Sequence, residues 1–191
     1  MLQRLRQFLL FNRSHDIARR YFVVNGFDGA LTMLGLLMGF YVSDGTDLGI
    51  ATTACLGAAI ALGMSGFSSA YLSEAAERRR EFQKLQDAMV TDLSGSAPHT
   101  ASRWIPLLIA AVNGLSPVII SFIIMTPLWL AQAGMVVPFG PFEAAIACAF
   151  GMIFFLGVFL SSVSGTFWLL SGMQALLIAV LTALLIFFIG S

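Results

Sequence analysis

The chain has 191 residues, of which 58% are hydrophobic and only 10% charged, with a mean hydropathy of +0.88. A soluble domain carries about a quarter charged residues, so a soluble fold is excluded. Ten Lys and Arg balance ten Asp and Glu, which leaves no basic excess to argue for nucleic acid and no acidic excess to argue for disorder. At ~20 apolar residues per helical crossing, this length holds five or six spans and no large extramembrane catalytic domain.

Residues 1–21 carry Arg4, Arg6, Arg13, Arg19 and Arg20 around a short apolar patch, Phe8 to Phe11. The patch is too short for the apolar region of a cleavable signal peptide. Leu2, Leu5 and Leu9 share one helical face, which fits a basic amphipathic segment lying on the inner membrane surface. A basic tail that serves only as a topology signal fits the same residues.

Five apolar runs follow, at about residues 22–42, 48–73, 104–131, 142–163 and 167–190, interrupted only by Asp28 and by Glu143 at the start of the fourth. Backbone polar groups cannot stay unpaired in lipid, and no period-2 alternation supports a barrel, so the runs predict an all-α membrane protein with five transmembrane helices. The remaining basic residues, Arg78, Arg79, Arg80, Lys84 and Arg103, lie in the 74–103 insert between the second and third spans. Basic residues are retained in the cytoplasm, so the N-terminus and this insert are expected inside and the C-terminus outside. The acidic turn Ser43-Asp44-Gly45-Thr46-Asp47 then falls outside, and Ser94 to Thr100 reads as a linker. Cys55 and Cys148 sit in apolar runs and make no disulfide framework.

Asp28 lies roughly 9 Å into the first span at ~1.5 Å per residue. An intramembrane carboxylate marks an ion or proton path more often than a packing contact, though a hydrogen bond across a helix interface is the alternative. Asn25, Thr32, Gly35 and Gly39 fall on its side of the helix. Gly35 and Gly39 form a Gly-x-x-x-Gly spacing that permits close helix approach. In the second span Gly57, Ala61, Met64, Ser65 and Ser68 share a side. A carboxylate with the Met64 thioether would suit a first-row transition metal, whereas Met64 alone reads as packing. The third span contains Asn113, Ser116 and Pro117, then Pro127, where kinks free carbonyls that either pack against protein or line a wet cavity.

Glu74, Glu77 and Glu81 share a helical face just beyond the second span. They either gather cations or form a salt-bridged, solvated helix end. His15 and His99 lie outside the spans, and no nucleophile or phosphate-loop motif occurs, so no catalytic activity and no cofactor are expected.

The segment ARRYFVVNGFDGALT from Ala18 to Thr32, YLSEAAER from Tyr71 to Arg78 and SGMQALLIA from Ser171 to Ala179 resemble the vacuolar iron transporter family. The resemblance runs over nearly the whole chain from Ala18, and its Asp28-Gly29 motif is the most specific part. It implies a homodimer joined through the first spans that moves Fe²⁺, and often Mn²⁺, out of the cytosol in exchange for protons. By the resemblance Asp28 is the carboxylate of the ion path and Met64 the span-two methionine, two residues off in a tyrosine-anchored alignment. Glu74 and Glu77 match the glutamates of the metal-gathering helix, with Glu81 an addition. Asn25, Thr32, Ser68, Asn113 and Ser116 are the expected pathway-lining residues. Two features depart from the family pattern: Ala70 stands where a glutamate precedes the tyrosine, and the insert is too short for a three-helix metal-binding domain. A compact prokaryotic member would sit in the cell membrane as a multi-pass exporter; a eukaryotic one would sit in a vacuolar-type membrane. The alternative is a non-transporting assembly partner or metal sensor that binds ions only at the glutamate face.

Overall fold

A computed structural model describes the backbone of residues 2–43, 46–89, 97–164 and 167–190. Readings that rest on side chains of residues 1–18, including His15, on Asp44 and Gly45, on residues 94–96 of the expected linker and on the His99 side chain lie outside the described residues, and Ala97 to Thr100 of that expected linker are helical and open the third helix. Five helices account for almost all of the described backbone: α1 Leu2–Val42, α2 Leu48–Met89, α3 Ala97–Gln132, α4 Pro141–Ser164 and α5 Trp168–Gly190. Each contains a stretch long and apolar enough to cross a membrane, the first beginning at Arg19. The protein is a multi-pass membrane protein.

The helix ends follow from local chemistry. Asp47 caps α2, its Oδ1 accepting from the Gly49 and Ile50 N–H groups at 2.8 and 3.2 Å, which satisfies donors that have no partner within the helix. At the end of α3, Gly134 adopts φ +78, its N–H bonds Ala131 O, and Met135 N–H reaches Leu130 O at 3.0 Å. This is a Schellman closure, in which glycine takes the left-handed position. Helix α2 continues unbroken past the membrane run, so at ~1.5 Å per residue it is about 63 Å long.

α3 is the centre of the bundle. It packs on α2, α1 and α4, while α5 packs on α4 and α1; among the described residues α2 and α5 stand at opposite edges and do not touch. The core joins Met33, Leu34 and Leu37 to Ile120, Ile124 and Leu128, and to Ile153 and Leu156. On α5 the buried residues are small, Gly172, Ala175 and Ala179, whereas Leu177, Leu181, Leu185 and Phe188 are exposed. That arrangement is expected in lipid, which solvates large apolar side chains and leaves small residues to bring helices together.

Three glycine contacts set the spacing. A Cβ on Gly114 of α3 would lie 2.7 Å from Gly63 O and 2.8 Å from Phe67 Cβ, and one on Gly29 of α1 would lie 2.8 Å from Pro117 Cα. Between α4 and α5, a Cβ on Gly157 would lie 2.8 Å from Ser171 O. By contrast Gly35 meets only Ile186 Cδ1 at 3.5 Å, and Gly39 and Gly57 meet nothing within 4 Å. Gly114→Ala should therefore lower thermal stability in detergent by roughly 1–3 kcal/mol, because backbone blocks the added methyl. Gly57→Ala, which adds its methyl to open space, should leave stability unchanged or slightly raised.

Candidate functional site

α1, α2 and α3 are tied together by amides. Pro117 has no N–H, so the Asn113 carbonyl one turn earlier loses its helical donor, and this end of α3 turns its polar groups to its neighbours. Asn113 Nδ2 donates to Gly66 O on α2 at 2.6 Å, and Asn25 Nδ2 of α1 donates to Asn113 Oδ1. The Ser116 hydroxyl donates to Phe22 O of α1. Asn113 and Ser116 are buried, and Asn25 is half-buried. Three of the pathway-lining residues expected from sequence thus take part in a staple across three helices: Asn25 and Asn113 meet each other, and Ser116 bonds the α1 backbone. Pro127 acts similarly further along α3: it frees Ile123 O, to which the Cys148 thiol of α4 donates at 3.6 Å.

Asp28 points elsewhere. It lies nine residues into a span that begins at Arg19, about 14 Å along the helix axis, and its side chain is exposed on the protomer surface. Met64 is also exposed, at 61%, as are Gly57, Ala61, Ser65 and Ser68 on the same side of α2, while Thr32 is half-buried. The polar and small face read from the second span therefore looks out of the protomer.

The three glutamates divide. Glu74 is only 7% exposed; Tyr21 of α1 lies beside its carboxylate, and Arg78 Nε lies 4.0 Å from its Oε2. The same Arg78 donates from Nη1 to Glu81 Oε2 at 3.1 Å. Glu77 and Glu81 are exposed. Spacing placed all three on one face, but α1 covers the first turn of that face, so Glu74 lies where the two helices meet. Tyr21 was not singled out by sequence reasoning; its signal is its position one turn before Asn25, on the side of α1 that meets α2 and α3. Among the described residues, no three His, Cys, Asp or Glu side chains converge on a point where they could hold a metal ion.

The chain is 28% identical over 173 residues to an uncharacterized protein, MJ0645, of Methanocaldococcus jannaschii, a match that covers 89% of this chain and 87% of that protein. No family model and no solved structure matches. The likeness is nearly end to end, so it concerns the whole bundle and not one segment of it.

The amide staple has a measurable contribution. Asn113→Ala removes the donor to Gly66 and leaves the Asn25 amide only its bond to Tyr21 O, which should lower thermal stability in detergent by about 1–3 kcal/mol. Ser68→Ala, at an exposed position, should change it by no more than about 0.5 kcal/mol.

Proposed function

We propose that the protein is a membrane transporter that exports a divalent transition-metal ion, Fe²⁺ or Mn²⁺, from the cytoplasm in exchange for protons, working as a homodimer joined through the first span. The observation that carries the reading is Asp28, a carboxylate within a membrane-spanning helix that no part of its own described protomer covers. A carboxylate in hydrocarbon costs several kcal/mol unless it meets a polar partner, water or a cation. A second copy related by a two-fold axis supplies such a setting, because the same surface on each subunit then faces the other. Two carboxylates brought together would hold a divalent cation or, when it leaves, a proton. The exposed Met64 thioether adds a soft ligand that favours Fe²⁺ or Mn²⁺ over Mg²⁺ and Ca²⁺. The open flank of Gly39 is consistent with the close approach of two first spans. The arrangement of basic residues supports export, with the glutamate-bearing end of α2 in the cytoplasm.

The sensor alternative would have the ion stop at Glu74, Glu77 and Glu81. Arg78 disfavours it, since its guanidinium already neutralises Glu74 and Glu81.

Fe²⁺ flux into proteoliposomes with an imposed pH gradient tests the reading. Asp28→Asn should reduce flux at saturating metal at least about tenfold while the protein remains folded and monodisperse. Glu77→Gln, at an exposed cytoplasmic position, should leave the maximal rate intact and raise the half-saturating concentration severalfold. Normal saturating flux in Asp28→Asn would make Asp28 a packing residue and overturn the mechanism. Orientation is tested separately: a reporter fused after Ser191 should be found outside and one inserted at Ser96 inside; the reverse placement would overturn export in this direction, and both on one side would contradict the five-span layout.

A further inference from the structure

The connection between α3 and α4 is unlike the other described turn at the same end of the bundle. The two share that end because Gln132 Nε2 donates to Leu48 O and Thr52 Oγ1 at 3.2 and 2.9 Å. The α1–α2 turn contains Asp47 and is built from polar residues, but the chain from Trp104 through Phe142 contains no charged residue at all. Its loop instead displays apolar side chains: Val136 is 98% exposed and Phe139 92%, with Met135 beside them.

Phe139 makes this more than a chance exposure. Pro138 and Phe139 occupy the middle of a turn closed by Gly140 N–H on Val137 O at 3.5 Å, and Phe139 has φ +67. A turn with Pro second and a positive φ third ordinarily takes Gly or Asn there, and a bulky side chain is strained. Within the protomer that strain is not offset by packing, since the ring touches almost nothing. Strain of this kind persists where something outside the turn holds the residue.

Position along the membrane normal says what that is. Trp104 and Trp129 bracket the apolar run of α3, about 38 Å apart at ~1.5 Å per residue, close to the separation of the two headgroup zones of a bilayer. Indole rings favour those zones. The loop begins within a turn of Trp129, so it emerges in the headgroup zone and continues the lipid-facing surface of the bundle. Its non-helical backbone needs water for hydrogen bonding, which bars it from the hydrocarbon core but not from the interface.

We propose that residues 135–139 form an interfacial anchor, with Val136 and Phe139 inserted into the lipid headgroup and upper acyl region of the leaflet beside them. The anchor fixes the height of the α3–α4 end relative to the bilayer. It does not depend on what the protein transports.

Spin-label accessibility on the full chain in phosphatidylcholine nanodiscs tests this. The label is placed by Val136→Cys, with Ser43→Cys on the neighbouring polar turn as the aqueous reference. Both are made with Cys148→Ser, which keeps a hydroxyl donor for Ile123 O. The label at 136 should collide with oxygen at least about twofold more than with a water-soluble nickel chelate, and the label at 43 should show the reverse preference. Adding Phe139→Asn, which suits the positive φ but removes the ring, should shift the label at 136 toward the nickel chelate. Equal, nickel-dominated accessibility at 136 and 43 would place the loop in water and overturn the proposal. Low accessibility to both colliders at 136 would mean that protein, such as a second copy, covers the loop, and would overturn it equally. No shift with Phe139→Asn would remove Phe139 from the anchor.

Discussion

Everything in this bundle depends on how closely α3 can approach its neighbours. In lipid there is no hydrophobic gain from moving a leucine from acyl chains to another leucine, so helix association rests on van der Waals contact and polar pairing. Gly114 against Gly63, and Gly29 against Pro117, bring backbones to distances that any side chain would prevent. Those approaches let Asn113 reach Gly66 O and Asn25, and Ser116 reach Phe22 O. The glycines and the amides are one device: the first sets the gap and the second locks the register across it.

The central position of α3 separates the polar residues named above: Asn25, Asn113 and Ser116 are used in interhelical bonds, whereas Asp28, Ser65 and Ser68, with the Met64 thioether, are left exposed. A surface with a carboxylate and hydroxyls is poorly suited to acyl chains, whereas the exposed face of α5, with its leucines and phenylalanines, is well suited to them. The protomer thus has one flank made for lipid and another that is not.

The five spans were legible because an uncharged run of helical-span length has few other solutions, and α2's continuation past Tyr71 was legible in the unbroken spacing of Glu74, Glu77 and Glu81. That Asp28 lies within the first span was also readable, but its surroundings were not: the wheel set it on the side of Asn25, whereas Asn25 turns to Asn113 and Asp28 is exposed, since one helix wheel does not know its neighbours. For the same reason the Gly35 and Gly39 pair stood out by spacing, whereas the tight contacts between helices fall at Gly29, Gly63, Gly114, Gly157 and Gly172. Close approach depends on which face crosses a partner, and Gly-x-x-x-Gly spacing is only one way of achieving it. Asn113 and Ser116 were recognisable as polar residues at a proline kink; their use as a staple required the positions of Asn25 and Gly66 on other helices. Glu74 looked equivalent to Glu77 until α1 was laid over it, with Tyr21 at the contact.

The uninterrupted length of α2 has a mechanical meaning. From the Gly63 crossing to Met89 the helix forms an arm of about 39 Å at ~1.5 Å per residue, with no proline along it. Glycine against glycine brings the two backbones together at that crossing, the Asn113 bond to Gly66 O holds it, and a rigid rod amplifies any rotation there in proportion to its length. A tilt of about 10° at that crossing displaces the far tip by roughly 7 Å, more than one turn of helix. Tyr21 meets the arm at Glu74, about 17 Å from that crossing at ~1.5 Å per residue, so Glu77 and Glu81 lie on the stretch beyond that contact.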